Sequence, residues 1–182
     1  MPFSVPATTR TLHTKQECLD LWATEGTRFR RLFKGMSPQQ LGAKVRSGNC
    51  GHTYAQHIPC MLGWMEAARD YFKNRLEGRD VPFRDYESEP MLVYTNRLID
   101  TLAPLPLPVI WNKLDIVEVE YRQIITDLPL DRFTKNSDGH GWDHFVWSTF
   151  GHYCEHNDEV EWQYSGRPGT VPDREYAFNG SK

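Results

Sequence analysis

The sequence predicts an all-α protein, a four-helix bundle with a proline-rich interruption, on three observations. Apolar residues recur at helical spacing in four long segments. Strand-like alternation is scarce, and glycine and proline clusters separate the periodic segments. At 182 residues and 39% hydrophobic, the chain suits one domain with a substantial core. The expected organisation is an extended lead-in over residues 1–13, a bundle domain over 14–162 and an irregular tail over 163–182.

The first helix opens at Thr14, because Glu17 three residues on completes a capping box that satisfies two free amides of the first turn. Cys18, Leu21, Trp22, Phe29, Leu32 and Phe33 then recur at helical spacing, and Gly35 ends the run. Glu25 shares the stripe of Cys18, Trp22 and Phe29. If it turns inward it needs a partner or takes up a proton, as general acids do; at the rim its carboxylate would sit in water. Ser37 and Pro38 suit one short capped turn, and Gly48 and Gly51 mark a loop.

A second long helix is expected over 53–76, with Leu62, Met65, Arg69, Phe72 and Leu76 on one stripe and Cys60, Trp64, Ala67 and Tyr71 on the next. Pro59 removes a hydrogen bond there, so the helix either begins near His57 or kinks just before Cys60. Gly78 to Pro90 reads as a loop. Met91, Tyr94, Thr95, Leu98, Ile99 and Leu102 suggest a third segment. Pro104, Pro106 and Pro108 favour an extended linker, after which Leu114, Val117, Tyr121 and Ile124 carry a helix from Trp111 to Asp127. Pro129 and the turn cluster from Lys135 to Gly141 precede the last one.

That last stretch, Trp142 to His156, reads as one mostly buried helix on which Phe145, Thr149, His152 and His156 share a stripe. A His-x-x-x-His pair on one face can supply two of three protein ligands to a metal with an open position. Two core histidines satisfied by hydrogen bonds would show the same spacing. Gly166, Pro168, Gly169 and Pro172 follow without periodicity, as in an irregular tail.

A net charge of −3 argues against a nucleic-acid footprint. Arg28, Arg30, Arg31, Lys34, Lys44 and Arg46 are interrupted by apolar positions and read as a solvated face. The start lacks the basic then apolar run of a secretory signal, and no stretch nears the ~20 apolar residues of a membrane span. A soluble, cytoplasmic chain with no membrane partner is expected. Cys18, Cys50, Cys60 and Cys154 are scattered and read as reduced. There is no phosphate-binding glycine motif and no serine nucleophile elbow.

Three short segments and one residue carry a resemblance: Cys60-Met-Leu-Gly-Trp64 with Met65 and Glu66, Leu76-Glu-Gly-Arg79, Gly151-His152-Tyr153-Cys-Glu155-His156, and Asn96. Together they resemble the DinB-like superfamily of four-helix bundles and, within it, the ClbS/DfsB family of colibactin self-resistance proteins, in element order from about residue 14 to 160. There the second helix usually carries His-Leu-x-Gly-Trp and the last a His-Tyr-x-Glu-His segment. The resemblance implies sites in the bundle core and a hydrolase-like enzyme of secondary metabolism or self-resistance. Its small-molecule substrate would be electrophilic or strained, opened by water addition or turned over by a related isomerisation. His152 or His156 would be the base, with Glu25, Tyr54 or Glu155 helping; Trp64, His57, His144 and Tyr153 would touch substrate.

Where DinB-like metal sites place a first histidine, four residues before the tryptophan, this chain has Cys60. Its thiolate could complete a site with His152 and His156 for a divalent metal, zinc foremost, or it could be a small buried hydrophobe. His57 or His52 could supply the missing imidazole if Pro59 bends the helix, and members of the branch also look capable of working without metal. Other DinB-like branches imply a metal-dependent thiol transferase or isomerase. A third class is a binding protein that sequesters a metabolite without turnover. The expected partners are a small molecule and no nucleic acid, with the chain a monomer or homodimer.

Overall fold

The structure, a computed structural model, describes residues 8–45, 51–79, 81, 83, 90–134, 141–165 and 174–178. The elements are β1 (Thr8–Leu12), α1 (Lys15–Lys34), α2 (Pro38–Leu41), α3 (Tyr54–Leu76), α4 (Met91–Leu102), α5 (Leu107–Asp127), α6 (Leu130–Thr134), α7 (Gly141–Ser148), α8 (Phe150–Ser165) and β2 (Arg174–Phe178). Helix dominates, as the periodicity predicts. Arg46, Gly48, Cys50, the loop over 84–89, most of the turn cluster before Gly141 and the positions from Gly166 to Pro172 lie outside the described residues. The chain clusters into two compact units, Met1–Ala55 with Thr149–Ser181, and Gln56–Ser148.

In the first unit α1 begins as its sequence dictates. Thr14 Oγ1 accepts from the Glu17 amide at 3.1 Å, and Glu17 Oε2 takes the amides of Thr14 at 3.1 Å and His13 at 2.6 Å. Those backbone bonds hold the Glu17 carboxyl below its usual range. The helix ends at Gly35, whose amide reaches back to Arg31 O at 3.3 Å. Its inner face buries Cys18, Leu21, Trp22, Glu25, Gly26, Phe29 and Phe33, and α8 packs along it. After α2, the Val45 amide bonds to His52 O at 3.0 Å and the Tyr54 amide to Ala43 O at 3.1 Å, which fixes where His52 and Tyr54 enter the unit.

The regions expected to be an extended lead-in and an irregular tail each contain a strand. β1 and β2 pair in parallel, Thr8 opposite Arg174 and Leu12 opposite Phe178. Five-residue strands whose partner lies at the other end of the chain leave no local pattern to read.

α3 spans Tyr54–Leu76, as the expected 53–76 has it, and stays helical through Pro59 rather than beginning near His57; from Gln56 on it belongs to the second unit. Gly63 on α3 lets α4 approach closely, since a Cβ there would lie 2.8 Å from Leu98 Cβ, below any normal contact. Gly63→Ala is therefore expected to lower stability by about 1–3 kcal/mol, the usual range for overpacking, read as a drop in urea midpoint at unchanged slope. α5 begins at Leu107, four residues before the expected Trp111. Pro108 lies in its first turn, where a missing N–H costs nothing. Of the three linker prolines only Pro104 and Pro106 precede it. The short α6 follows Pro129 and was not expected.

The stretch read as one helix from Trp142 to His156 is two. The break falls at Thr149, after Ser148, whose buried hydroxyl donates to His144 O at 2.7 Å and also lies 3.2 Å from Phe145 O. A serine that bonds back to its own last turn competes with helix continuation. Tyr121 OH meets the same hydroxyl at 3.1 Å, and burial pushes the Tyr121 phenol well up. Around it Phe133 and Phe145 stack edge to face at 4.8 Å. Among the described residues no helix is long and apolar enough to cross a membrane, and Cys18, Cys60 and Cys154 are buried outside any disulfide.

Candidate functional site

The last long helix of the first unit, α8, carries His152 and His156 one turn apart. Both are buried, 3% and 7% exposed, with ring centroids 4.6 Å apart. Each offers a ligand nitrogen within 4.8 Å of the other. His156 Nδ1 lies 3.0 Å from Glu159 Oε2, a carboxylate that is itself buried. A carboxylate on Nδ1 fixes the ring orientation and favours the tautomer with its proton there, so Nε2 becomes the chemically active nitrogen.

Burial holds the His152 imidazole well below its ordinary value, and the neighbouring His156 pushes the same way. His156 is lowered to about 3, again by burial first and then by His52. Both rings are therefore neutral at neutral pH, the form in which an imidazole accepts a proton or binds a metal. The His156–Glu159 contact is then a hydrogen bond rather than an ion pair.

A polar network joins α1 to α8 beside this pair. Arg28 donates from Nε to Glu161 Oε1 at 3.0 Å and from Nη2 to Glu161 Oε2 at 2.6 Å, a two-pronged clamp. It also donates to Asp158 Oδ1 at 2.8 Å and to Glu25 Oε2 at 3.1 Å. Burial works against the guanidinium charge, yet the bonds to Glu161, Asp158 and Glu25 more than offset it and hold its pKa above the ordinary arginine value. Glu25 turns inward, 7% exposed, and also accepts from Asn157 Nδ2 at 3.0 Å. Its observed partners make it an anchor for α8.

Of the other expected site residues, Tyr153 is buried with its ring 5.0 Å from Phe29, and Tyr54 is buried against Phe33 with its hydroxyl donating to Gln163. Glu155 is exposed, and the carboxylate that meets His156 is Glu159. His57, Cys60, Trp64 and His144 belong to the second unit and are all buried there. Trp64 Nε1 donates to Thr95 Oγ1 at 3.2 Å, and its ring meets Tyr94 edge on at 5.0 Å. His144 was expected two turns before His152 on one helix; the break at Thr149 puts it on α7, stacked on Phe83 at 4.3 Å. The sequence reading passed over Glu159, Asn157 and the network role of Arg28. Glu159 had a signal, since three residues beyond His156 is the same helix face; the other two depend on a contact 130 or more residues away.

Buried groups that could hold a metal are present among the described residues: His152, His156 and Glu159 in the first unit, Cys60 and His57 in the second. Both imidazoles of the first unit are in the neutral form that ligates a metal, and His156 has a carboxylate behind it.

These features define a class: an all-α protein of ClbS-like fold with a buried imidazole pair on its last long helix. Among solved structures that share the fold are two. One is the colibactin self-resistance protein ClbS in complex with a dsDNA, at 10% identity and TM-score 0.71, covering 86% of this chain and 99% of that one. The other is an uncharacterised protein from Escherichia coli UTI89, at 15% identity and TM-score 0.70, covering 87% and 98%. No family model and no curated protein matches the sequence. The resemblance read from the short motifs thus holds at the level of fold.

The comparison corrects one expectation. Nucleic acid was excluded on net charge, yet ClbS shares this fold and was solved on a DNA duplex. Net charge is a sum over the whole surface, whereas binding responds to local charge, so a value of −3 excludes no duplex.

Proposed function

We propose that the chain is a small-molecule enzyme related to secondary metabolism, adding water to an electrophilic or strained substrate. The observation that supports this reading is the pair of buried, neutral imidazoles with Glu159 behind one of them. In this reading His156 is the base, its Nδ1 held by Glu159 so that Nε2 takes a proton from the attacking water. As the water oxygen bonds to the electrophilic carbon, the strained ring bond to the leaving atom breaks. The proton on Nε2 passes to that atom, so the product gains one water. His152 contributes a second neutral nitrogen one turn away. Burial keeps both bases unprotonated. If a divalent metal is bound, His152 and His156 hold it, and the ion lowers the pKa of a bound water toward neutrality.

The test is incubation of the purified protein with a panel of epoxides and other strained-ring electrophiles, followed by mass spectrometry, beside elemental analysis. A product heavier by one water, lost in His156→Ala by a factor of about 10²–10⁴ as for removal of a general base, is the expected result. Ligand recovered unchanged but retained by the protein would instead mean sequestration, and product carrying a low-molecular-weight thiol would mean transfer. Parallel loss of bound metal in His152→Ala and His156→Ala would make the pair a metal site. Cys60→Ser in the same series tests the thiolate ligand expected from the sequence.

A second reading is association with duplex DNA, favoured by the ClbS complex of the same fold. Fluorescence anisotropy with a labelled duplex tests it; binding that weakens steeply with added salt would support it.

A further inference from the structure

Asn157 is fully buried on α8, directly after His156. Its Nδ2 donates to two oxygens of Glu25, the backbone carbonyl and Oε2, each at 3.0 Å. That double contact settles which end of the amide is which, because the reversed amide would set oxygen against two oxygens. The other end, Oδ1, is buried and has no hydrogen-bond partner among the described residues. A buried acceptor without a donor is costly, about 1–3 kcal/mol, and calls for a donor from outside the chain, a water or a ligand.

The surroundings place the amide beside the imidazole pair. Tyr153, one turn earlier, has its ring 5.0 Å from Phe29, and the His156 ring lies 6.4 Å from the same Phe29. Tyr153, His156 and Asn157 therefore all border the α1 segment that runs from Glu25 to Phe29. Glu25 pins the amide, and the residue before Asn157, His156, is the candidate base.

We propose that Asn157 Oδ1 is the acceptor that binds and orients the ligand of the imidazole site, taking a hydrogen bond from an amide N–H or hydroxyl on a neutral small molecule. This rests on the reading above that the imidazole pair is the working site. No bond is made or broken by Asn157. It holds a donor group of the ligand while the chemistry falls to its neighbour, and it selects against ligands that lack the donor.

The experiment uses the full-length, isotopically labelled protein and two probes of nearly equal shape, N-methylacetamide with one N–H donor and N,N-dimethylacetamide with none. NMR titration follows the Asn157 side-chain amide and the ring nitrogens of His152 and His156. Saturable shifts of both sets with the donor probe, and about tenfold weaker binding of the donorless one, are expected from one buried hydrogen bond. Asn157→Leu should erase the difference between probes while the spectrum stays folded. If that variant unfolds, the two probes on the unmutated protein still decide. Equal binding of both probes, with the ring signals shifted, overturns the acceptor role and leaves the imidazole site standing. Silence of the rings with both probes overturns the site itself and the proposal with it. A long-lived water on Oδ1 that the donor probe does not displace also overturns the proposal.

Discussion

Metal-free protein is expected to lose stability steeply as the pH falls below about 6.5, where an unfolded histidine takes up its proton. The sign follows from the lowered folded-state values of His152 and His156. Above the unfolded pKa both states leave the rings neutral, and the burial is harmless. Below it the unfolded chain binds protons that the folded chain refuses, so stability drains away until the pH reaches the folded value, about 3 for His156. The slope is about 1.4 kcal/mol per pH unit for each such histidine. Over two units His156 alone removes about 3 kcal/mol, a large share of a usual domain stability of about 5–15 kcal/mol. Urea unfolding from pH 7 to pH 4.5 measures it. His156→Gln should flatten the slope by about one proton, and an unchanged slope would mean that the imidazole is protonated inside the fold.

Arg28→Ala should cost about 3 kcal/mol at neutral pH. Arg28 is half-buried and donates to Glu161, Asp158 and Glu25, of which Glu25 is the most enclosed. Removing it leaves three carboxylates close together without their cation; breaking a buried pair typically costs about 3–5 kcal/mol. The lower end applies because Glu161 is 47% exposed and screened by water. Arg28→Lys should recover only part of the loss, since an ammonium cannot reproduce the two-pronged contact with Glu161. Denaturant midpoints of the two variants measure this, and a cost under about 1 kcal/mol for the alanine variant would assign the cluster to solvent.

The site was half visible in the sequence. The spacing of His152 and His156 is local and survives in α8, as do the capping box at Thr14 and Glu17 and the start of α4 after Pro90, whereas the sequence left Glu25 open between core and rim and the packing turned it inward. Each of the first three is decided within one or two turns. The length of the last helix was misread because hydrophobic period alone cannot report a break; Ser148 closes α7 through its own hydroxyl bond to His144 O. That single break took His144 off the helix of the imidazole pair. Glu155, expected as a helper, is adjacent to His156 in sequence, but neighbours on a helix point about 100° apart, whereas Glu159 lies three residues on and meets His156 Nδ1.

What the sequence determined by itself is therefore the helical class, most helix starts and the placing of two imidazoles on one face, because propensity, capping and period act over a few residues. Tertiary structure alone decided that β1 finds β2, that Arg28 gathers carboxylates from α8 and that Asn157 is pinned by Glu25. Those pairings join positions 130 or more residues apart, and only the packed chain brings them within reach. Burial decided the rest: it is enclosure, rather than the identity of the residues, that makes His152 and His156 neutral and leaves Asn157 Oδ1 without a donor among the described residues.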